Sequence, residues 1–102
     1  MEHINKVTPS EVESLMENEE GIVIVDVRED EEVAQGMIEN AKHIPLKEIP
    51  ESIHNFSKEK HYVFVCRSGR RSMNAATYMK EQGFQVSNMV GGMLDWDGEV
   101  VI

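Results

Sequence analysis

The chain has 102 residues, 40% of them apolar and 28% charged, which is one domain's worth of globular sequence and excludes collagen, wholesale disorder and a disulfide-dense scaffold. Nineteen acidic residues against ten basic give a formal charge of −9, so the surface repels phosphate backbones and anionic headgroups, and neither nucleic acid nor membrane is expected as a partner. No apolar run approaches the roughly 20 residues that a membrane-spanning helix needs, and the N-terminal Met-Glu-His-Ile-Asn-Lys lacks a secretory pattern, so a cytoplasmic location is expected.

Thr8-Pro9-Ser10-Glu11 carries a helix start, with Thr8 as N-cap, Pro9 at the first helical position and Glu11 closing a capping box; the helix is expected to run to about Asn18. Ile22-Val23-Ile24-Val25 is a β-branched run without polar alternation, the signature of a strand buried on both faces. A short helix is expected over 29–35. Weaker strands are expected near Ile4, at His43-Ile44 and over 84–89, with further short helices over 49–56 and 93–96. His61-Tyr62-Val63-Phe64-Val65 repeats the pattern of a buried strand and leads directly into Cys66. Gly69 makes the next segment a tight loop, and a helix follows from about Arg71 to Gln82, with Ala75, Ala76 and Met79 on one face and Gly83 as its C-cap. No repeat or linker interrupts the chain, so residues 1–102 read as a single domain. Strands and helices alternating in this order predict an α/β fold, a mostly parallel sheet with helices on both faces, in which ligands sit beyond the carboxyl ends of the strands.

Charge and cysteine converge on one loop. Residues 1–40 carry −10 and residues 41–102 carry +1, and three of the four arginines, Arg67, Arg70 and Arg71, lie within six residues that also hold the only cysteine, Cys66. A lone cysteine cannot form an intramolecular disulfide or supply the several thiolates of a structural metal site. It is either a small buried filler or a reactive thiol. Cys66-Arg67-Ser68-Gly69-Arg70-Arg71-Ser72 joins a strand end to a helix start, where inward-turned N–H groups and the helix dipole favour an anion. A free thiol near pKa 8.5 is only about 3% ionised at pH 7, whereas such surroundings lower the value to roughly 3.5 to 7.5. The expected nucleophile is therefore a thiolate that needs no histidine base.

Other residue patterns carry less. Asp26 and Arg28, at a strand end, read as an ion pair that shapes neighbouring loops. His3, His43, His54 and His61 lack metal-ligand spacing, and no metal is expected. Gly91-Gly92 reads as a turn or a backbone wall beside the pocket, and Trp96 as a packing residue. Asp26-Val27-Arg28 has no glycine where a dinucleotide-binding turn would require three.

Spacing narrows the anion. In Cys-x5-Arg phosphatase loops arginine is the sixth residue after cysteine; here that residue is Ser72, and Arg71 is the fifth. The shorter loop Cys-Arg-Ser-Gly-Arg-Arg-Ser resembles the active-site loop of rhodanese-like sulfurtransferases. The likeness continues in Ile22-Val-Ile-Val-Asp-Val-Arg-Glu29, in Gly36-Met37-Ile38, where Met37 stands for the usual histidine, in His43-Ile44-Pro45-Leu46, and in Gly91-Gly92 with Trp96. After Trp96, a short strand over 99–102 is expected where many relatives carry a helix.

The resemblance implies a three-layer α/β/α fold with about five strands. It implies a sulfurtransferase in which Cys66 takes the outer sulfur of a small anionic donor such as thiosulfate, holds it as a persulfide and passes it to cyanide, a thiol or a protein acceptor. Arg67, Ser68, Gly69, Arg70 and Arg71 would bind the donor, through the N–H groups of residues 67–71 and the three guanidinium groups, from a small, exposed pocket. No cofactor is implied, and a monomer is expected. Two alternatives stay open: a catalytically silent regulatory or binding module, and a cysteine-dependent arsenate reductase or phosphatase.

Overall fold

The computed structural model describes residues 3–102; Met1 and Glu2, the start of the hexapeptide read for a secretory pattern, lie outside it. The chain opens with β1 (Asn5–Val7), α1 (Pro9–Asn18) and β2 (Ile22–Asp26). α2 (Asp30–Val33) and the short strands β3 (Met37–Ile38) and β4 (Lys42–His43) follow. β5 (His61–Val65), α3 (Arg70–Glu81), β6 (Gln85–Met89) and β7 (Val100–Val101) complete it. Three 3₁₀ turns, Leu46–Glu48, Pro50–Asn55 and Gly92–Asp95, connect these elements. None of the described helices is long and apolar enough to cross a membrane.

The Thr8 cap forms as its sequence dictates: the Thr8 hydroxyl accepts the Glu11 N–H, and the Glu11 carboxylate accepts the Thr8 N–H. The expected helices over 49–56 and 93–96 are 3₁₀ turns, and the helix expected over 29–35 shortens to α2. Sequence patterning also passes over β3 and the 3₁₀ turn at Leu46–Glu48, because elements of two or three residues are too short to show a period. β3 pairs antiparallel with β7, so the expected final strand finds its partner in the Met37 segment.

The main sheet runs β1-β6-β5-β2-β4, with every neighbouring pair parallel. β5 is its central strand. Alternation along β5 sends Tyr62, Phe64 and Cys66 into one core with Ala75, Ala76 and Met79 of α3, and Val63 and Val65 into a second core with Val12 of α1. Helices therefore cover both faces, and the carboxyl ends of β2, β5 and β6 open side by side onto the loops that follow them.

Asp26 and Arg28 fix one border of that edge. The Arg28 Nε and Nη2 groups donate to the Asp26 carboxylate at 2.8–3.1 Å, and Nη2 also reaches the Gly36 carbonyl at 2.8 Å. Both residues are buried, so the pair is satisfied only as a unit. It ties the end of β2 to the turn before β3, as the ion-pair reading of these residues expects. Replacing Asp26 with Ala leaves a buried guanidinium without its counter-charge. Chemical denaturation should show a loss of about 3–5 kcal/mol, with Cys66 chemistry otherwise intact in the folded fraction.

Candidate active site

Cys66 is the first residue after the central strand, and period 2 points its side chain to the α3 side of the sheet. Gly69 is the N-cap of α3 and sits at φ +100°, a left-handed conformation that favours glycine. That turn brings the start of α3 back over the sulfur. The Gly69 N–H donates to Sγ at 3.1 Å, the Ser72 N–H at 3.3 Å, and the Ser72 Oγ lies 3.3 Å away. The positive end of the helix dipole is at the same place.

Two opposed effects act on the thiol. Burial raises its pKa, and hydrogen bonds from the Ser72 hydroxyl and from the Ser72, Gly69 and Ser68 N–H groups bring it down, leaving the thiol below its ordinary value. The leading contributions that lower it are hydrogen bonds rather than arginine charges. Cys66 is 0% exposed, in contrast to the small, exposed pocket expected from the sequence, because Cys66 extends the buried face of β5. Filler and reactive thiol thus meet in one residue: it belongs to the apolar core on one side and to a ring of donors on the other.

The predicted binding residues separate. Arg67 and Arg70 are exposed and make no ion pair within the described residues. Arg71 is engaged within the chain. Its Nη1 and Nη2 donate to Glu32 Oε1 and Oε2 at 2.7 and 2.8 Å, a bidentate pair that commits the guanidinium to α2. The fold brings this carboxylate, four residues beyond Arg28, alongside Arg71 and so ties α2 to α3. Glu32 also accepts the Glu29 N–H at 2.9 Å, so one side chain caps α2 and holds α3. Of the amides expected to face the sulfur, that of Gly69 donates to it; those of Arg67, Arg70 and Arg71 do not figure among its donors, and Ser72 joins Gly69 instead.

Sequence reasoning stopped short of Ser72 and did not reach Asn88. Ser72 ends the loop motif, and a hydroxyl in the first turn of a helix is the signal for it. Asn88 is a polar residue near the end of β6, beside the cysteine-bearing strand. It is 2% exposed; its Nδ2 donates to the Gly69 carbonyl at 3.1 Å, and its Oδ1 receives the Ser72 hydroxyl at 2.5 Å.

Gly91-Gly92 opens the 3₁₀ turn that packs against the Cys66 loop. Gly92 lies at φ +59° against the carbonyl oxygens of Cys66 and Arg67, where no Cβ fits. The next two N–H groups, of Met93 and Leu94, donate to those same carbonyls at 2.9 and 3.0 Å. Beside the loop is a cleft of about 280 Å³ lined by Arg28, Glu32, Gln35, Arg67, Met93 and Leu94. Trp96 packs against the second core and donates Nε1–H to the Glu99 carbonyl, a packing role as read from sequence. His43 bonds to the Arg28 carbonyl and His61 to the Ser87 hydroxyl, and no cluster of metal-ligating side chains occurs among the described residues.

Comparison with known proteins follows the same lines. The family model described as Rhodanese-like domain matches residues 8–99. YtwF of Bacillus subtilis (strain 168), named as a candidate sulfurtransferase, is 48% identical over 96 residues, covering 94% of this chain and 93% of its own. A protein of Allochromatium vinosum named sulfurtransferase is 34% identical over 94 residues, covering 91% of this chain and 88% of its own. Among solved structures, a rhodanese-like domain protein from Staphylococcus aureus superposes with a TM-score of 0.91 at 37% identity, covering 97% of this chain and 98% of that one.

Two outcomes follow from the site. Glu32 is held at about 2, chiefly by its bond to Arg71, against an ordinary 4.5. Its folded value lies below its unfolded one, so the clamp contributes fully above pH 4.5 and is lost as pH falls toward 2. Glu32→Gln should therefore flatten the acid side of the stability profile, removing no more than about 1 kcal/mol because the pair is partly exposed. Gly92→Ala should push the 3₁₀ turn off the Cys66 and Arg67 carbonyls. Thermal unfolding should show a loss of about 2 kcal/mol or more, with slower thiol alkylation at neutral pH.

Proposed function

The chain belongs to the rhodanese-like domain family, and from that premise we propose that it is a sulfurtransferase whose Cys66 carries sulfane sulfur as a persulfide. The observation that carries this reading is the convergence of the Gly69 and Ser72 N–H groups on the sulfur of the only cysteine, with the Ser72 Oγ 3.3 Å away. Donors placed in this way stabilise a sulfur anion before any substrate arrives.

The reaction is two displacements. The Cys66 thiolate attacks the outer sulfur of thiosulfate; a new S–S bond forms, the old one breaks, and its electron pair leaves with sulfite. The outer sulfur of the persulfide then bears the negative charge. Cyanide or an acceptor thiolate attacks that sulfur, the Cys66 S–S bond breaks, and Cys66 departs as the thiolate. Each half-reaction completes without the other substrate, so ping-pong kinetics are expected. Arg67 and Arg70, exposed and free of carboxylate partners within the described residues, supply the attraction for an anionic donor in an otherwise acidic molecule. Since Cys66 is covered, donor entry requires local opening at the loop, which favours small donors over bulky ones.

The binding-module reading draws on that same burial of Cys66. A phosphatase or arsenate reductase is less well served, because Arg71 is spent on Glu32 and offers no fork to a tetrahedral oxyanion. Location in the cytoplasm and action as a monomer are part of the proposal, as is a thiol or protein for the physiological acceptor.

Intact-mass measurement after incubation with thiosulfate tests the reading. The expected result is a gain of one sulfur atom that cyanide removes, absent in Cys66→Ser. A chain that stays unmodified with thiosulfate and with small persulfide donors would establish the binding-module reading instead.

A further inference from the structure

The hydrogen bonds around Cys66 contain one proton for two acceptors. The Gly69 carbonyl can only accept, so the group that Asn88 turns toward it must be Nδ2, and Oδ1 must face Ser72. Oδ1 can only accept as well, so the short contact between it and Ser72 Oγ is made by the Ser72 hydroxyl proton. That proton is also the one Ser72 would give to Sγ at 3.3 Å. Ser72 is 0% exposed, so its hydroxyl is out of contact with bulk solvent.

We propose that Asn88 is a positioning residue for the thiol, acting through a Ser72 hydroxyl that turns between the Asn88 carboxamide and the Cys66 sulfur. In the protonated thiol, S–H donates to Ser72 Oγ, whose own hydrogen goes to Asn88 Oδ1. When the thiol gives its proton to solvent, the hydroxyl swings to the thiolate and leaves Oδ1 without its donor. After sulfur is taken up, Sγ becomes a neutral bridging sulfur and the charge moves to the outer atom. The hydroxyl then returns to Asn88. Delivery of the sulfur regenerates the thiolate and turns it once more. No bond between heavy atoms changes in these swings, and the proton released on ionisation goes to water.

Asn88 therefore acts in two opposed ways. Its Nδ2 holds the Gly69 carbonyl, the N-cap of α3, and so keeps the Gly69 and Ser72 N–H groups aimed at the sulfur; this favours the thiolate. Its Oδ1 competes for the Ser72 hydroxyl; this favours the thiol. The charged groups of the surrounding elements, Arg67 in the loop, Arg70 and Arg71 on α3 and Glu32 on α2, are the same in every variant compared. Asn88 is 2% exposed and its side chain bonds to Ser72 and Gly69, so it acts through them.

The proposal rests on the sulfur-carrying role of Cys66 for its significance, but its test needs only the thiol. Thiol ionisation is followed by the pH dependence of alkylation in four chains: the unsubstituted protein, Ser72→Ala, Asn88→Ala and the double variant. Ser72→Ala should reduce the thiolate fraction at neutral pH by up to roughly tenfold. With Ala at 72, Asn88→Ala should reduce it further, since only the Gly69 anchor is lost. With Ser at 72, Asn88→Ala should reduce it distinctly less, because the released hydroxyl now serves the sulfur full time. Additive shifts would overturn the shared proton. Asn88→Asp guards against poor folding of the Ala variants. Its protonated carboxyl reproduces both Asn88 bonds, and its ionised form loses the one to Gly69, so alkylation in this variant should show an extra acidic transition. An Asn88→Asp profile indistinguishable from the unsubstituted one would also overturn the proposal. A failure of sulfur transfer with the coupling present would count against the functional reading alone.

Discussion

A sulfur anion inside a protein exists only where enough N–H and O–H groups are aimed at it to replace water. Here that requirement is met by the start of one helix folded back over the end of one strand. Burial works against ionisation of Cys66, and the donors from Gly69, Ser72 and Ser68 work for it, leaving the thiol below its ordinary pKa. Everything else at the carboxyl edge of the sheet holds those donors in place. The left-handed Gly69 makes the turn, Asn88 pins its carbonyl, and the turn after Gly92 secures the carbonyls of Cys66 and Arg67 from the other side.

The arginines divide into three uses. Arg28 is consumed by Asp26 and the Gly36 carbonyl, and Arg71 by Glu32; each stitches one loop of the edge to the next. Arg67 and Arg70 remain exposed at the rim. A cationic cluster in sequence thus becomes partly framework and partly exposed charge, and the number of arginines in a motif overstates the charge left free at the surface. Glu32 makes the division, serving at once as the acceptor that caps α2 and as the anchor of α3.

Much of this was legible in the chain itself. The α1 cap needs only neighbours in sequence, so Thr8 and Glu11 predict it completely. The strands at 22–25 and 61–65 are read from their β-branched and aromatic runs, and the loop between strand and helix from the glycine that follows Cys66. What escaped depends on residues far apart in the chain. The Glu32–Arg71 pair spans 39 positions and the Asn88 contacts 16 and 19, distances at which no local period or spacing reports a meeting. The pairing of β3 with β7 escaped for a second reason: two residues carry no periodicity. Full burial of Cys66 was implicit in the alternation of β5, since the residue falls on the Tyr62–Phe64 face, but the charge of the loop outweighed that signal in the reading.

The most direct measurement is the rate of Cys66 alkylation as a function of pH, in the folded chain and in the same chain unfolded by denaturant. Donors preassembled around the sulfur place the folded midpoint below that of the unfolded chain, which should sit near the ordinary value of about 8.5. A folded midpoint equal to or above the unfolded one would mean that burial outweighs the donors, and the account of the site would be wrong.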